Sequence, residues 1–216
     1  MNVFGLLLAM LGPLVIAVTS ETPASSANRL RVFLFAQAGL AGVVALVLSL
    51  VLFWERNSLS SIGLKPVNLS SIAWGSALAA FFIYILPPIE TRIRRMLRLG
   101  GFEKGLTKLR ELPVWSVALA IALGGASEEI LYRGYAVERI GALTGSLWLA
   151  GAIPVIGFAA AHLPMWGRGP ALSALMSGAI VTGFYLWQRD LTACIFAHLL
   201  TDFTGILISP PVSPHR

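Results

Sequence analysis

The chain has 216 residues, of which 56% are hydrophobic and 12% charged, and it carries a net charge of +6. A soluble domain carries about 25% charged residues, so this composition excludes a globule coated by polar side chains and points to a polytopic membrane protein. The positive balance does not indicate nucleic acid, because the basic residues fall in the loops between apolar runs, as the positive-inside bias expects.

Seven apolar runs follow in chain order, each close to the roughly 20 residues a helix needs to cross the hydrocarbon core. They cover about Val3–Val18, Leu30–Trp54, Leu69–Leu86, Pro113–Val137, Ser146–His162, Ala171–Trp187 and Leu191–Ile208. The fold class expected is all-α: a polytopic transmembrane helix bundle of about seven to eight helices, forming a single membrane domain over residues 1–216. No Lys or Arg precedes the first run, so a retained helix is expected there in place of a signal peptide, followed by a polar loop over Ser20–Asn28. Pro87-Pro88 is expected to stop the third span, Pro113 to open the fourth and Pro164 to follow the fifth. Cys194, the single cysteine, has no partner for an intrachain disulfide and sets no metal-site spacing.

The loop over 90–112 holds Arg92, Arg94, Arg95, Arg98, Lys104, Lys108 and Arg110, with Leu97, Leu99, Phe102, Leu106 and Leu109 as an apolar side. It reads equally as one or two amphipathic helices lying on anionic headgroups and as a plain loop, and both readings make it cytoplasmic. That places the N-terminus outside. A difficulty follows: a fourth span ending at Val137 puts Glu128 towards the outer side and His162 near the inner side, too far apart to cooperate. A break at Gly124-Gly125, a re-entrant Gly134–Gly145 segment or a different span count would resolve it.

Ionisable side chains interrupt three of the runs. Each costs roughly 2.5–3.5 kcal/mol at the bilayer centre even on the lenient insertion scale, so a group of them is a functional site by default. Glu129 and Arg133 are spaced i, i+4 and share a helical face, while Glu128 is rotated about 100° away. The arginine therefore holds one acid and leaves the other free to act as a general base. Phe158 and His162 share a face with three alanines between them, and so do His198 and Asp202, a spacing that lets the carboxylate orient the imidazole or lets both bind one metal. Taken singly, each pair reads as well as an ion pair or polar contact joining helices. Together they supply a base, an orienting ion pair and groups to steady an oxyanion, the set needed to add water to a carbonyl. His215, in the polar tail, is assigned no role.

Glu128-Glu129-x-x-x-Arg133, Phe158-x-x-x-His162 and His198-x-x-x-Asp202 resemble, in order and separation, the three motifs of the CPBP family of intramembrane proteases. That family includes the type II CAAX prenyl endopeptidases and the bacteriocin-immunity (Abi) proteins. The resemblance spans about residues 113–208, which would be the catalytic core. It implies an intramembrane endopeptidase in which Glu128 activates water with help from His162, His198 and Asp202 stabilise the oxyanion, and Glu129, Arg133 and Phe158 support the site. The substrate implied is a peptide or protein, with a lipidated CAAX-type C-terminus and a bacteriocin or other membrane peptide as the alternatives. The setting implied is the plasma membrane of a prokaryote.

The family pattern has Asn or Asp at the last position, and Asp202 bears on the cofactor. Asn can donate to an oxyanion, whereas an ionised Asp only accepts. The cofactor expectation is therefore either none or zinc held by Glu128, His162, His198 and Asp202. Two other functions compete: an ion- or proton-coupled small transporter, for which the sequence has no paired hydropathy halves, and a non-catalytic immunity or scaffold protein of the same fold.

Overall fold

Proline placement, glycine turns and side-chain caps divide the chain into eight helices among the described residues of the computed structural model, which are 3–20 and 26–208. These are α1 (Val3–Thr19), α2 (Ser26–Ser49, continued by a π-helical turn Leu50–Trp54), α3 (Leu69–Met96), α4 (Glu103–Arg110), α5 (Val114–Thr144), α6 (Leu147–Trp166), α7 (Arg168–Gln188) and α8 (Leu191–Ile208). Six of them are long and apolar enough to cross a membrane, and α1 is a shorter apolar helix. The described residues contain no strand, and the bundle is all-α. Residues 21–25 of the loop expected over Ser20–Asn28, and the tail carrying His215, lie outside the described residues; Ser26–Asn28 already belong to α2.

Local chemistry sets the starts and turns. The Asn68 side chain accepts from Ser71 N at 3.0 Å to cap α3, and Asp190 accepts from Ala193 N at 3.0 Å to cap α8. The other Asp190 oxygen takes Ser71 Oγ at 2.7 Å, so one buried carboxylate ties the starts of α3 and α8 together. Between α5 and α6 the chain reverses at Gly145 (φ 65°), a left-handed conformation that glycine adopts without strain. Small residues allow close crossings, as at Gly75, where an added Cβ would lie 2.9 Å from the Ala193 carbonyl oxygen.

Alternate loops gather at opposite ends of the bundle. At one end Arg29 pairs with Glu111, Phe102 packs edge-on to Trp166, and Arg94 Nη1 donates to Ser173 Oγ at 2.6 Å. At the other end Arg139 pairs with Glu55, Arg189 pairs with Glu138, and Leu191 N donates to Gly63 O at 2.9 Å. The first end carries the basic loop. The second is ringed by exposed Trp54, Trp148 and Trp187, aromatic side chains of the kind that settle at a membrane–water interface.

Three expectations are corrected. The third helix does not stop at Pro87-Pro88 but runs to Met96. A π-helical turn, Phe81–Ile85, resets the hydrogen-bond ladder just before them, so the prolines fall on the first positions of a fresh α-helical stretch, where a missing N–H is tolerated. Pro164 lies inside α6, in its last turn, and the helix closes at Trp166. The fourth helix neither breaks at Gly124-Gly125 nor ends at Val137; it continues to Thr144. This last correction removes the depth conflict. Because α5 and α6 are joined by a tight turn at Gly145, Glu128 and His162 each lie about 23 Å of helix from that turn, at a common level. The basic segment 90–112 holds two helical pieces rather than a plain loop: Glu90–Met96 completes α3, and α4 forms a separate short amphipathic helix.

Candidate active site

The site is built where α5 changes its winding. From Glu129 to Ala136 the helix is π-helical, a local widening often found at functional positions, and residues 131–137 are all buried. Glu129 and Arg133, 1% and 2% exposed, pair at 2.9 Å through Glu129 Oε1 and Arg133 Nη1. The guanidinium is fixed on two further sides. Its Nε donates to Thr182 Oγ1 on α7 at 3.3 Å, and its Cζ sits 4.2 Å over the Phe158 ring on α6. An arginine held by a carboxylate, a hydroxyl and an aromatic face has lost its freedom to move, and with it α5, α6 and α7 are locked in register.

The same Glu129 oxygen lies 2.8 Å from Nδ1 of His198 on α8. Since an ionised carboxylate only accepts, Nδ1 carries a proton and donates it to Glu129. Nε2 of His198 is thereby turned towards Glu128 Oε2 at 3.7 Å and Asp202 Oδ2 at 3.5 Å. These separations are in ion-pair rather than good hydrogen-bond range, which leaves room for a small group among the three side chains. Glu128 and Asp202 are partly exposed, at 25% and 35%, whereas Glu129 is sealed. The two adjacent glutamates thus have opposite surroundings: one is locked against Arg133 and His198, and the other faces open space.

His162 lines the same open space, and its Nδ1 lies 2.8 Å from the Phe158 carbonyl oxygen. A carbonyl only accepts, so Nδ1 holds the proton and Nε2 is left with its lone pair. Phe158 packs edge-on to the His162 ring at 4.6 Å and to Tyr132 at 5.4 Å, so it supports both His162 and Arg133. Gly125 makes the approach of α8 possible: an added Cβ would lie 3.0 Å from Leu199 Cδ2 and 3.4 Å from His198 Cδ2.

Glu128, His162, His198 and Asp202 all line one cavity of about 1150 Å³, which extends to Arg29 and Arg94 at the basic end. Among the described residues no three His, Cys, Asp or Glu side chains are arranged to hold one metal ion. The zinc set of Glu128, His162, His198 and Asp202 is therefore not assembled around one point, with His198 Nδ1 engaged by Glu129 and His162 Nδ1 by the Phe158 carbonyl of its own helix.

Sequence reasoning gave orienting His198 as one of two alternatives for Asp202; the shorter contact of His198 is with Glu129. It missed Thr182, whose signal is only a hydroxyl in an apolar helix. It also passed over Gln37, the single polar side chain between Val32 and Leu48, which lines the cavity from α2.

No curated protein and no solved structure matches the chain. A family model does: the one described as type II CAAX prenyl endopeptidase Rce1-like matches residues 110–204, which include every motif residue named above. The chain is thus similar over residues 110–204 to the Rce1-like family, a likeness that supports a CAAX-type protease in general terms, and its six long apolar helices make it a multi-pass integral membrane protein.

Proposed function

We propose that the protein hydrolyses a peptide bond within the membrane by glutamate-activated water, with Glu128 as the base. The observation that carries this reading is the contrast between Glu128, open to the cavity, and Glu129, committed to Arg133 and His198. A water between Glu128 and the lone pair of His162 gives up one proton to the Glu128 carboxylate as its oxygen attacks the scissile carbonyl carbon. The resulting oxyanion is met by a proton on His198 Nε2, whose ring is prevented from turning by Glu129. Asp202, which only accepts, holds that proton in place from the other side. Glu128 then passes its proton to the departing amine nitrogen as the C–N bond breaks. Every step uses side chains alone.

The substrate in this reading is a peptide or protein with a lipidated C-terminal tail, and it is supported by the family and by a cavity whose walls are largely apolar. The protein then sits in a prokaryotic plasma membrane with its basic end in the cytoplasm, an orientation supported by the positive-inside bias.

The test is peptide cleavage by the purified protein in detergent, with Glu128→Gln as the comparison. The substitution keeps the shape and removes the base, and the expected result is a rate loss of about 10²–10⁴-fold with an unchanged melting temperature. Wild-type protein that cleaves nothing, while vesicles show proton flux dependent on Glu128, would favour a transporter.

A further inference from the structure

One polar group beside the site has no task in the chemistry above. The Oε1 atom of Gln37 on α2 is buried and has no hydrogen-bond partner among the described residues. Leaving such an atom unpaired is destabilising, and the more so in a bundle surrounded by hydrocarbon, so a buried carboxamide oxygen without a protein partner on a half-buried, cavity-lining side chain calls for a ligand. Its position is informative. An added Cβ at Gly124 would lie 3.8 Å from Gln37 Oε1, so the amide rests over that glycine. Gly124 and Glu128 are i, i+4 on α5, one helical turn apart on one face, and a helical side chain leans towards the N-terminus. The Glu128 carboxylate therefore leans towards the Gln37 amide, and both line the same cavity.

We infer that Gln37 binds the backbone of the substrate next to the bond to be cut. This rests on the hydrolase reading given above. A tail segment extended for attack has its backbone N–H and C=O free of any helical ladder. Within the membrane the freed backbone groups find no water and need partners from the protein. A carboxamide offers one acceptor and one donor in a fixed plane, which matches the N–H and C=O of an extended residue whichever way the amide is flipped. The bound partner is thus an extended peptide segment, held about one helical turn from the base. Gly124 contributes by having no side chain to fill the space between Gln37 and the substrate.

The experiment pairs a change in the enzyme with a change in the peptide. A cleavable peptide is compared with depsipeptides in which one backbone N–H flanking the scissile bond is replaced by an ester oxygen. With wild-type protein, one depsipeptide should lose about tenfold in kcat/KM, the worth of one hydrogen bond. With Gln37→Leu, the parent peptide should lose a similar factor and the penalty for that depsipeptide should vanish. The melting temperature of Gln37→Leu in detergent should be unchanged or raised, since an unpaired polar group has been replaced by an apolar one.

A depsipeptide penalty that persists in full in Gln37→Leu, or a melting temperature that falls, would overturn the assignment. Gln37→Leu indistinguishable from wild type on all peptides, with Glu128→Gln inactive, would remove the Gln37 role and leave the hydrolase intact. Glu128→Gln as active as wild type would remove both.

Discussion

A single oxygen, Oε1 of Glu129, receives both Nη1 of Arg133 at 2.9 Å and Nδ1 of His198 at 2.8 Å. A carboxylate on α5 therefore joins a structural arginine of its own helix to a histidine of α8 that faces the cavity. A change in the ion pair therefore bears on the orientation of His198, and in the proposed mechanism stability and activity are coupled through one atom.

That coupling sets the first expectation. Arg133→Met removes the permanent charge from a buried carboxylate, leaving His198 as its one partner, and should cost about 3–5 kcal/mol of stability. Adding Glu129→Gln to it removes the orphaned charge and should recover part of the loss, without restoring activity, because His198 is no longer held in the same way. Reversible denaturation in mixed detergent checks the first statement, and peptide cleavage the second. An Arg133→Met protein as stable as wild type would show that the pair contributes little.

Asp202 is expected to tolerate one replacement and not another. In Asp202→Asn the side-chain oxygen still accepts from His198 and the amide adds a donor towards the oxyanion, so kcat/KM should stay within about tenfold of wild type. Asp202→Leu offers neither and should fall well below the asparagine variant. Equal activities for the two would mean that Asp202 does not act through His198.

Metal removal should leave the rate unchanged. No three donors are arranged around one point, so dialysis against a strong chelator, with zinc add-back as the control, should alter cleavage by less than about twofold. Loss on chelation with recovery on zinc would replace the glutamate route by a metal-bound water.

Orientation can be read with the protein's own chemistry. Cys194, the only cysteine, is buried and should be silent towards polar thiol reagents. An added Asn57→Cys at the aromatic end should then react in intact cells, and Arg98→Cys at the basic end only after permeabilisation. The reverse pattern would invert the bundle.

The parts of the site visible in the sequence are those set within one helix. Glu129 and Arg133, Phe158 and His162, and His198 and Asp202 are each four residues apart, and the geometry of a single turn makes them neighbours before any tertiary contact is known. What was hidden depends on packing between helices. Nothing at position 182 or 37 distinguishes a residue under Arg133 or over Gly124 from a solitary polar side chain in an apolar run. The misjudged end of α5 has a related cause. Glu138 and Arg139 look like the start of a loop, but Arg139 is paired with Glu55, and Glu138 with Arg189 and Tyr185, so the helix carries its charges onward to Thr144. Partners supplied by distant loops turned an apparent terminus into two more helical turns.

The cavity has walls of different origin. The side carrying the proposed catalytic residues belongs to residues 110–204, and the facing side is contributed by α1, α2, α3 and α4. If the hydrolase proposal holds, mutations in the first hundred positions reshape what is admitted while sparing Glu128, His162, His198 and Asp202, and a chimera exchanging only those positions between related chains is expected to trade peptide preference with little change in turnover. Selectivity and reactivity can in this way evolve at separate addresses along one gene.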